Sequence, residues 1–163
     1  GTSFFKNHSY EYLYSAAFCP GKNGNIINFE TLNSWCNDFR RMLDSNGCGE
    51  QYSSILGKLF SNSPGDEFGI IPDISIRNYI ETNKSDLDIE AFVDSFVVAI
   101  LNKRGIFTPS AGKEERRLAD RYKAISSELE IQSPIFAKAY KKLSNDYLYQ
   151  AERSRENAES SDH

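Results

Sequence analysis

The sequence has few of the residues that most often do chemistry. Only two histidines are present, His8 and His163, and no two cysteines have CxxC spacing. The motifs GxSxG, GxGxxG and GxxxxGK[ST] are also missing. These absences argue against zinc, serine-hydrolase and nucleotide chemistry. We therefore expect no catalytic residue, no metal and no cofactor, and a protein that is not an enzyme.

Long apolar runs are equally scarce. The longest covers residues 96–101, far short of the roughly 20 residues that a membrane-spanning helix needs, and no secretory signal is visible at the start. The three cysteines, Cys19, Cys36 and Cys48, are an odd number, which argues against a disulfide framework. We expect a cytoplasmic protein with reduced thiols and no membrane contact.

Charge and length narrow the function classes further. The 163 residues suit one domain, with 19 basic and 23 acidic side chains and a formal charge of −4. An acidic chain is a poor general binder of nucleic acid or membrane surfaces. The neighbouring acids of 66–67, 86–88 and 114–115 are best interpreted as helix caps or first-turn charges rather than as catalytic pairs.

Apolar residues recur at every third or fourth position through most of the chain, which predicts helices. The expected fold is all-α, with about seven helices in an irregular orthogonal bundle. We interpret residues 1–3 as a cloning scar, 4–152 as a single helical domain and 153–163 as a frayed or disordered tail without an apolar face. The predicted helices span about 4–18, 29–46, 50–60, 72 or 73 to 81, 86 or 88 to 102, 113–129 and 134–158.

Two segments of the sequence resemble each other and each precedes a predicted helix. Residues 20–27 and 64–71 both begin with Pro-Gly and end with Ile-Ile, and they are 44 positions apart. That spacing is compatible with two helix-pair repeats, and the alternative is two similar turns. A calcium loop is excluded because Cys19 and Gly21 would occupy positions that need carboxylates.

Basic residues gather around the loop that follows residue 102. This basic ridge, 103–123, could bind a phosphate or an acidic protein surface, and the alternative is a solvated helix face with Glu–Arg pairs. The candidate binding residues are Lys103, Arg104, Arg116, Arg117 and Arg121.

Three blocks in order, over residues 20–35, 64–81 and 102–153, resemble the helical C-terminal region of very long, mostly uncharacterised bacterial proteins. The resemblance covers about residues 18–158, and it transfers no catalytic residue because that region has no assigned activity. It implies that the chain is the tail of a larger polypeptide, in agreement with the absence of a starting Met. The first loop departs from the pattern, since Lys22 and Asn23 replace acidic residues.

The leading hypothesis is a non-enzymatic helical interaction module of a larger cytoplasmic bacterial protein. Its partner would be the rest of its own polypeptide or another protein, contacted through the loop 103–112 and the two Pro-Gly segments. The alternative is a nucleic-acid-binding helical domain that uses the basic ridge. A third hypothesis, an enzyme with an unfamiliar site, would need a pocket with strongly perturbed titratable groups.

Overall fold

A computed structural model describes residues 18–105 and 109–161 of the chain. It is 71% helical, so the broad all-α prediction is confirmed. Six helices are described instead of seven, because the helix predicted for 4–18 lies almost entirely outside the described residues. The elements are β1 (Lys22–Asn23), β2 (Ile26–Ile27), α1 (Phe29–Ser45), α2 (Tyr52–Phe60), α3 (Ile74–Thr82), α4 (Ile89–Asn102), α5 (Lys113–Leu129) and α6 (Pro134–Ser161).

Side-chain caps fix the starts of three helices. Asn28 caps α1 and Asp73 caps α3; each accepts a hydrogen bond from a backbone N–H of the first turn at 2.9 Å. Of the two acids proposed for α4, Asp88 accepts such a bond, at 3.1 Å. Asp86 instead pairs with Arg40, at 3.3 Å. Local capping chemistry therefore explains why these boundaries could be predicted from the sequence.

The chain divides into two compact units, with the boundary between Ala99 and Ile100. We call them unit 1 and unit 2, and the single domain expected over 4–152 stays a prediction. Periodicity shows that a helix has an apolar face but not which other helix covers that face, so the division was not predictable. In unit 1 the fully buried side chains include Leu32, Phe39, Leu43, Leu56, Phe60, Ile76, Ile80, Phe92 and Phe96.

Unit 2 is built on the pairing of α5 with α6. Two buried serine hydroxyls join these helices, since Ser126 donates to the carbonyl of Ala137 and Ser144 to that of Ala119, both at 2.7 Å. The tail expected to fray from 153 is helical up to Ser161, where serine hydroxyls donate to carbonyls one turn back. Fraying of these turns in solution stays a prediction.

The two similar segments do not form matching structures, and the helix-pair repeat is not confirmed. The first is a hairpin in which β1 pairs with β2 in antiparallel register. The second contains no strand and is a turn over 66–70. None of the helices in the described part of the chain is both long enough and apolar enough to cross a membrane.

A close approach of α2 to α4 yields a test of the unit 1 core. A Cβ atom added at Gly57 would collide with the carbonyl oxygen of Phe92, which is backbone and cannot rotate away. Gly57→Ala should therefore lower the free energy of unfolding by about 2 kcal/mol, although alanine favours a helix by about 1 kcal/mol over glycine. Urea denaturation followed by the fluorescence of Trp35, the single tryptophan, measures this. Asn78→Ala, at an exposed position of α3, is the control and should leave stability nearly unchanged.

Candidate interaction surfaces

The first Pro-Gly segment is a hairpin that points one isoleucine inward and its neighbour outward. The N–H of Asn28 donates to the carbonyl of Gly21 at 2.9 Å, which closes the hairpin onto the start of α1. Because successive side chains of a strand face opposite sides, Ile27 is 7% exposed while Ile26 is 72% exposed. The hairpin thus holds an apolar side chain in solvent.

The second segment is organised by a buried ion pair. Asp66 accepts hydrogen bonds from the N–H groups of Phe68 (2.8 Å) and Ile70 (3.0 Å) on one carboxylate oxygen. Its other oxygen accepts from Arg77 at 3.1 Å, and Arg77 also donates to the carbonyl of Pro72 at 2.8 Å. Both charged side chains are almost wholly buried. The interpretation of Asp66 as a helix cap is therefore wrong: it closes a turn and pairs across it.

These contacts set the pKa of Asp66. Burial raises the pKa of the carboxyl, but the N–H groups of Ile70 and Phe68 and the Arg77 guanidinium outweigh it. The pKa therefore lies below its ordinary value. The turn is consequently closed by a carboxylate that stays ionised at neutral pH.

The two segments lie next to each other in unit 1. Just before the two segments, the side chain of Asn62 donates a hydrogen bond to the carbonyl of Phe18 at 2.9 Å. On the helices that follow the two segments, the ring of Phe29 on α1 packs edge-on against that of Tyr79 on α3, with 6.1 Å between the ring centroids. Four of the eight large apolar side chains that are exposed in the described residues belong to these segments and the helix starts after them. We call the four the loop surface: Ile26 (72% exposed), Phe29 (54%), Phe68 (76%) and Ile74 (47%).

The sequence indicated the two segments as contact candidates but did not indicate these side chains. Phe68 stands between Glu67 and Gly69 in a turn, and an aromatic residue flanked by a charge and a glycine is a pattern that could have indicated exposure. Asp66 and Arg77 were missed because they are eleven positions apart and meet only when the turn folds back on α3.

The basic ridge is different from what the sequence predicted. Arg104 was proposed as a surface contact, yet its side chain is only 11% exposed. It donates to Glu115 at 2.8 Å and to Gln150 at 3.0 Å, and its guanidinium lies 4.9 Å from the ring centroid of Tyr147. Arg104 therefore joins the end of α4 to α5 and α6 inside unit 2.

Two other residues of the ridge are neutralised by neighbouring glutamates. Arg117 pairs with Glu114 at 2.6 Å and Arg116 with Glu152 at 3.3 Å, as the solvated-face alternative expects. Lys103 and Arg121 are exposed, on a loop and on α5. The ridge thus presents less uncompensated positive charge than its sequence suggests.

The buried thiol of Cys36 lies within hydrogen-bonding reach of two tyrosine hydroxyls, those of Tyr52 and Tyr79. Burial raises the pKa of the thiol to about 12, and the hydrogen bonds to the tyrosines lower it only in part. Burial also raises the pKa of both tyrosines. A thiol that stays protonated at neutral pH is a poor nucleophile, so this cluster is part of the core.

No group of three or more His, Cys, Asp or Glu side chains is placed to hold a metal ion within 18–105 and 109–161. Comparison with known proteins identifies no matching family, no matching curated protein and no matching solved structure.

The Asp66–Arg77 pair should make unit 1 sensitive to acid. Asp66→Asn leaves Arg77 buried without a counter-charge, so it should lower the free energy of unfolding at pH 7 by about 3 kcal/mol. A carboxyl with a depressed pKa stabilises the fold above the ordinary aspartate value of about 3.9 and loses that effect as the pH falls further. The difference between the wild type and the variant should therefore shrink below about pH 4, measured by urea denaturation.

The matched control is Glu67→Gln, which removes the neighbouring exposed charge. It should change stability little at any pH. A wild-type advantage over Asp66→Asn that stays constant from pH 7 to pH 3 would contradict the ion-pair account.

The buried Arg104 of unit 2 allows a second comparison, between the stability effects of a buried and an exposed ion pair. Arg104→Ala leaves Glu115 buried without its partner, so the stability of α5 and α6 should fall by about 3 kcal/mol. Hydrogen exchange of the buried amides of these helices measures the change. Arg117→Ala removes an exposed pair and should have no measurable effect. If the buried amides of α5 and α6 were equally protected from hydrogen exchange in both variants, Arg104 would not be a structural contact.

Proposed function

We propose that the chain is a non-enzymatic helical interaction module that contacts a protein through the loop surface of unit 1. The observation that carries this proposal is that four exposed apolar side chains belong to two segments, and to the helix starts after them, whose flanking residues contact each other. Single exposed apolar residues are ordinary on protein surfaces, whereas a cluster of them is typical of an interaction site.

The fixed backbone conformation of these segments supports the same proposal. Phe68 sits on a turn held by Asp66 and Arg77, and Ile26 on a hairpin closed by a backbone hydrogen bond. A segment whose backbone is already fixed loses little backbone freedom on binding, and aromatic residues are frequent binding hot spots.

The partner in this proposal is the rest of its own polypeptide or another protein. The resemblance to the C-terminal region of very long bacterial proteins is part of the proposal, and with it a cytoplasmic location in a larger bacterial protein. The alternative, nucleic-acid binding through the basic ridge, has weaker support because Arg104 is buried and Arg116 and Arg117 are paired.

Photo-crosslinking tests the proposal. A benzoylphenylalanine in place of Phe68, expressed in the native cells within the native polypeptide, should form one discrete protein adduct. The adduct should weaken strongly when Ile26→Ser and Ile74→Ser remove two other members of the loop surface. Gel mobility and mass spectrometry of the adduct make the measurement.

The control places the same crosslinker at Ile131, which is 93% exposed and lies outside the loop surface. It should give no such adduct. Equal labelling at both positions, or an adduct at 68 that nuclease removes, would contradict a protein-binding loop surface.

A further inference from the structure

The negative charge of the chain is concentrated in unit 1. Its residues 18–99 carry six basic and twelve acidic side chains, a formal charge of −6, whereas residues 100–163 carry twelve basic and ten acidic side chains. The loop surface therefore belongs to the acidic part of a chain whose overall charge is only −4.

Acidic side chains also stand beside the apolar members of the loop surface. Glu30 follows Phe29, Glu67 precedes Phe68, and Asp73 precedes Ile74. Glu30 and Glu67 are exposed, and Asp73 is partly exposed. We call these three acids the acidic rim.

The two Pro-Gly segments contain little positive charge. Arg77 is buried and already compensated by Asp66, which leaves the exposed Lys22 of β1 as the basic residue within the two Pro-Gly segments. An apolar surface with an acidic rim is complementary to apolar side chains flanked by lysine or arginine.

We propose that the loop surface binds a basic amphipathic segment of a protein partner, with apolar side chains that contact Phe68 and Ile26 and flanking Lys or Arg residues that face the acidic rim. This inference rests on the proposed function and names the chemistry of its partner. Burial of the apolar contacts supplies most of the affinity, and the charges accelerate association and exclude acidic competitors.

A second copy of the chain fits this surface less well than a basic segment, because the chain carries a formal charge of −4 and would bring a second acidic unit 1 with it. In unit 2, glutamates already pair with Arg104, Arg116, Arg117 and Arg155, and these arginines would have to leave their partners before they could face the acidic rim. Lys103 and Arg121 are exposed in unit 2, so self-association is one outcome that the test distinguishes.

Fluorescence anisotropy with the full chain tests the inference. The probe is a labelled 14-residue amphipathic peptide with Leu and Trp along one helical face and Lys and Arg elsewhere. Its matched control has Glu at every Lys and Arg position. The basic peptide should bind at least tenfold more tightly than the acidic one at 50 mM salt, and its affinity should fall as salt rises because exposed charges are screened.

Variants separate the contribution of the apolar contacts to the affinity from that of the acidic rim. Phe68→Ser should weaken binding of the basic peptide at least tenfold. The double variant Glu30→Gln, Glu67→Gln should weaken it several-fold and flatten its salt dependence. The control Glu50→Gln, Glu90→Gln removes the same charge from exposed positions of unit 1 outside the rim, and it should change the affinity little.

The outcomes distinguish this inference from the proposed function. Equal affinity for basic and acidic peptides, no binding of the basic peptide, or equal effects of the rim and control variants would overturn it, while the crosslinking result at position 68 decides the proposed function separately. Two further results would overturn it by naming another occupant. A lower melting temperature of Phe68→Ser would mean that the chain covers this surface itself. Self-association in sedimentation that Phe68→Ser abolishes would mean that a second copy does.

Discussion

The buried ion pair between Asp66 and Arg77 is the contact on which the geometry of the loop surface depends. Transferring two charges out of water costs several kcal/mol per ion, and further hydrogen bonds to both groups offset part of that cost here. Asp66 accepts two backbone N–H groups in addition to the guanidinium, and Arg77 also binds the carbonyl of Pro72. The pair connects the turn to α3, whose Ile76 and Ile80 are fully buried in the core of unit 1. The position of Phe68 is thereby set by the core.

Unit 2 uses the same chemistry in a different place. Arg104 leaves the end of α4 and binds Glu115 on α5 and Gln150 on α6, while its guanidinium faces Tyr147. The planar guanidinium can make these contacts at once, which the ammonium group of lysine cannot reproduce. In both units an arginine thus fixes an irregular segment against helices, and neither arginine is available to an outside ligand.

Helix boundaries could be predicted from the sequence because their causes are local. The apolar period of 3–4 residues and the caps at Asn28 and Asp73 act within one turn of chain, and the start and end predicted for α5, residues 113–129, match the structure. The division into two units could not be predicted, because it depends on which apolar faces meet.

The candidate site was predictable only in outline for the same reason. Proline and glycine mark both Pro-Gly segments as turns, so their place in the chain was evident. The burial of Arg104 depends on Gln150, 46 positions later, and that of Arg77 depends on Asp66, eleven positions earlier. A basic residue with a distant acidic partner looks in the sequence like any surface charge. The exposed positive charge of the ridge was therefore overestimated, and the exposed apolar side chains of the loop surface were missed.

The exposure of Phe68 follows from the contacts around it. A flexible loop could fold such a ring against the nearest apolar surface, because burial of a phenylalanine is favourable by roughly 2 kcal/mol. Here the N–H groups of Phe68 and Ile70 are both committed to Asp66, and the buried Ile70 anchors the far side of the turn. A movement of the Phe68 backbone toward the core would break these hydrogen bonds and leave Arg77 buried without its partner, a loss larger than the gain. The hydrogen bonds that close the turn therefore also keep its apolar side chain in solvent, where a partner can cover it.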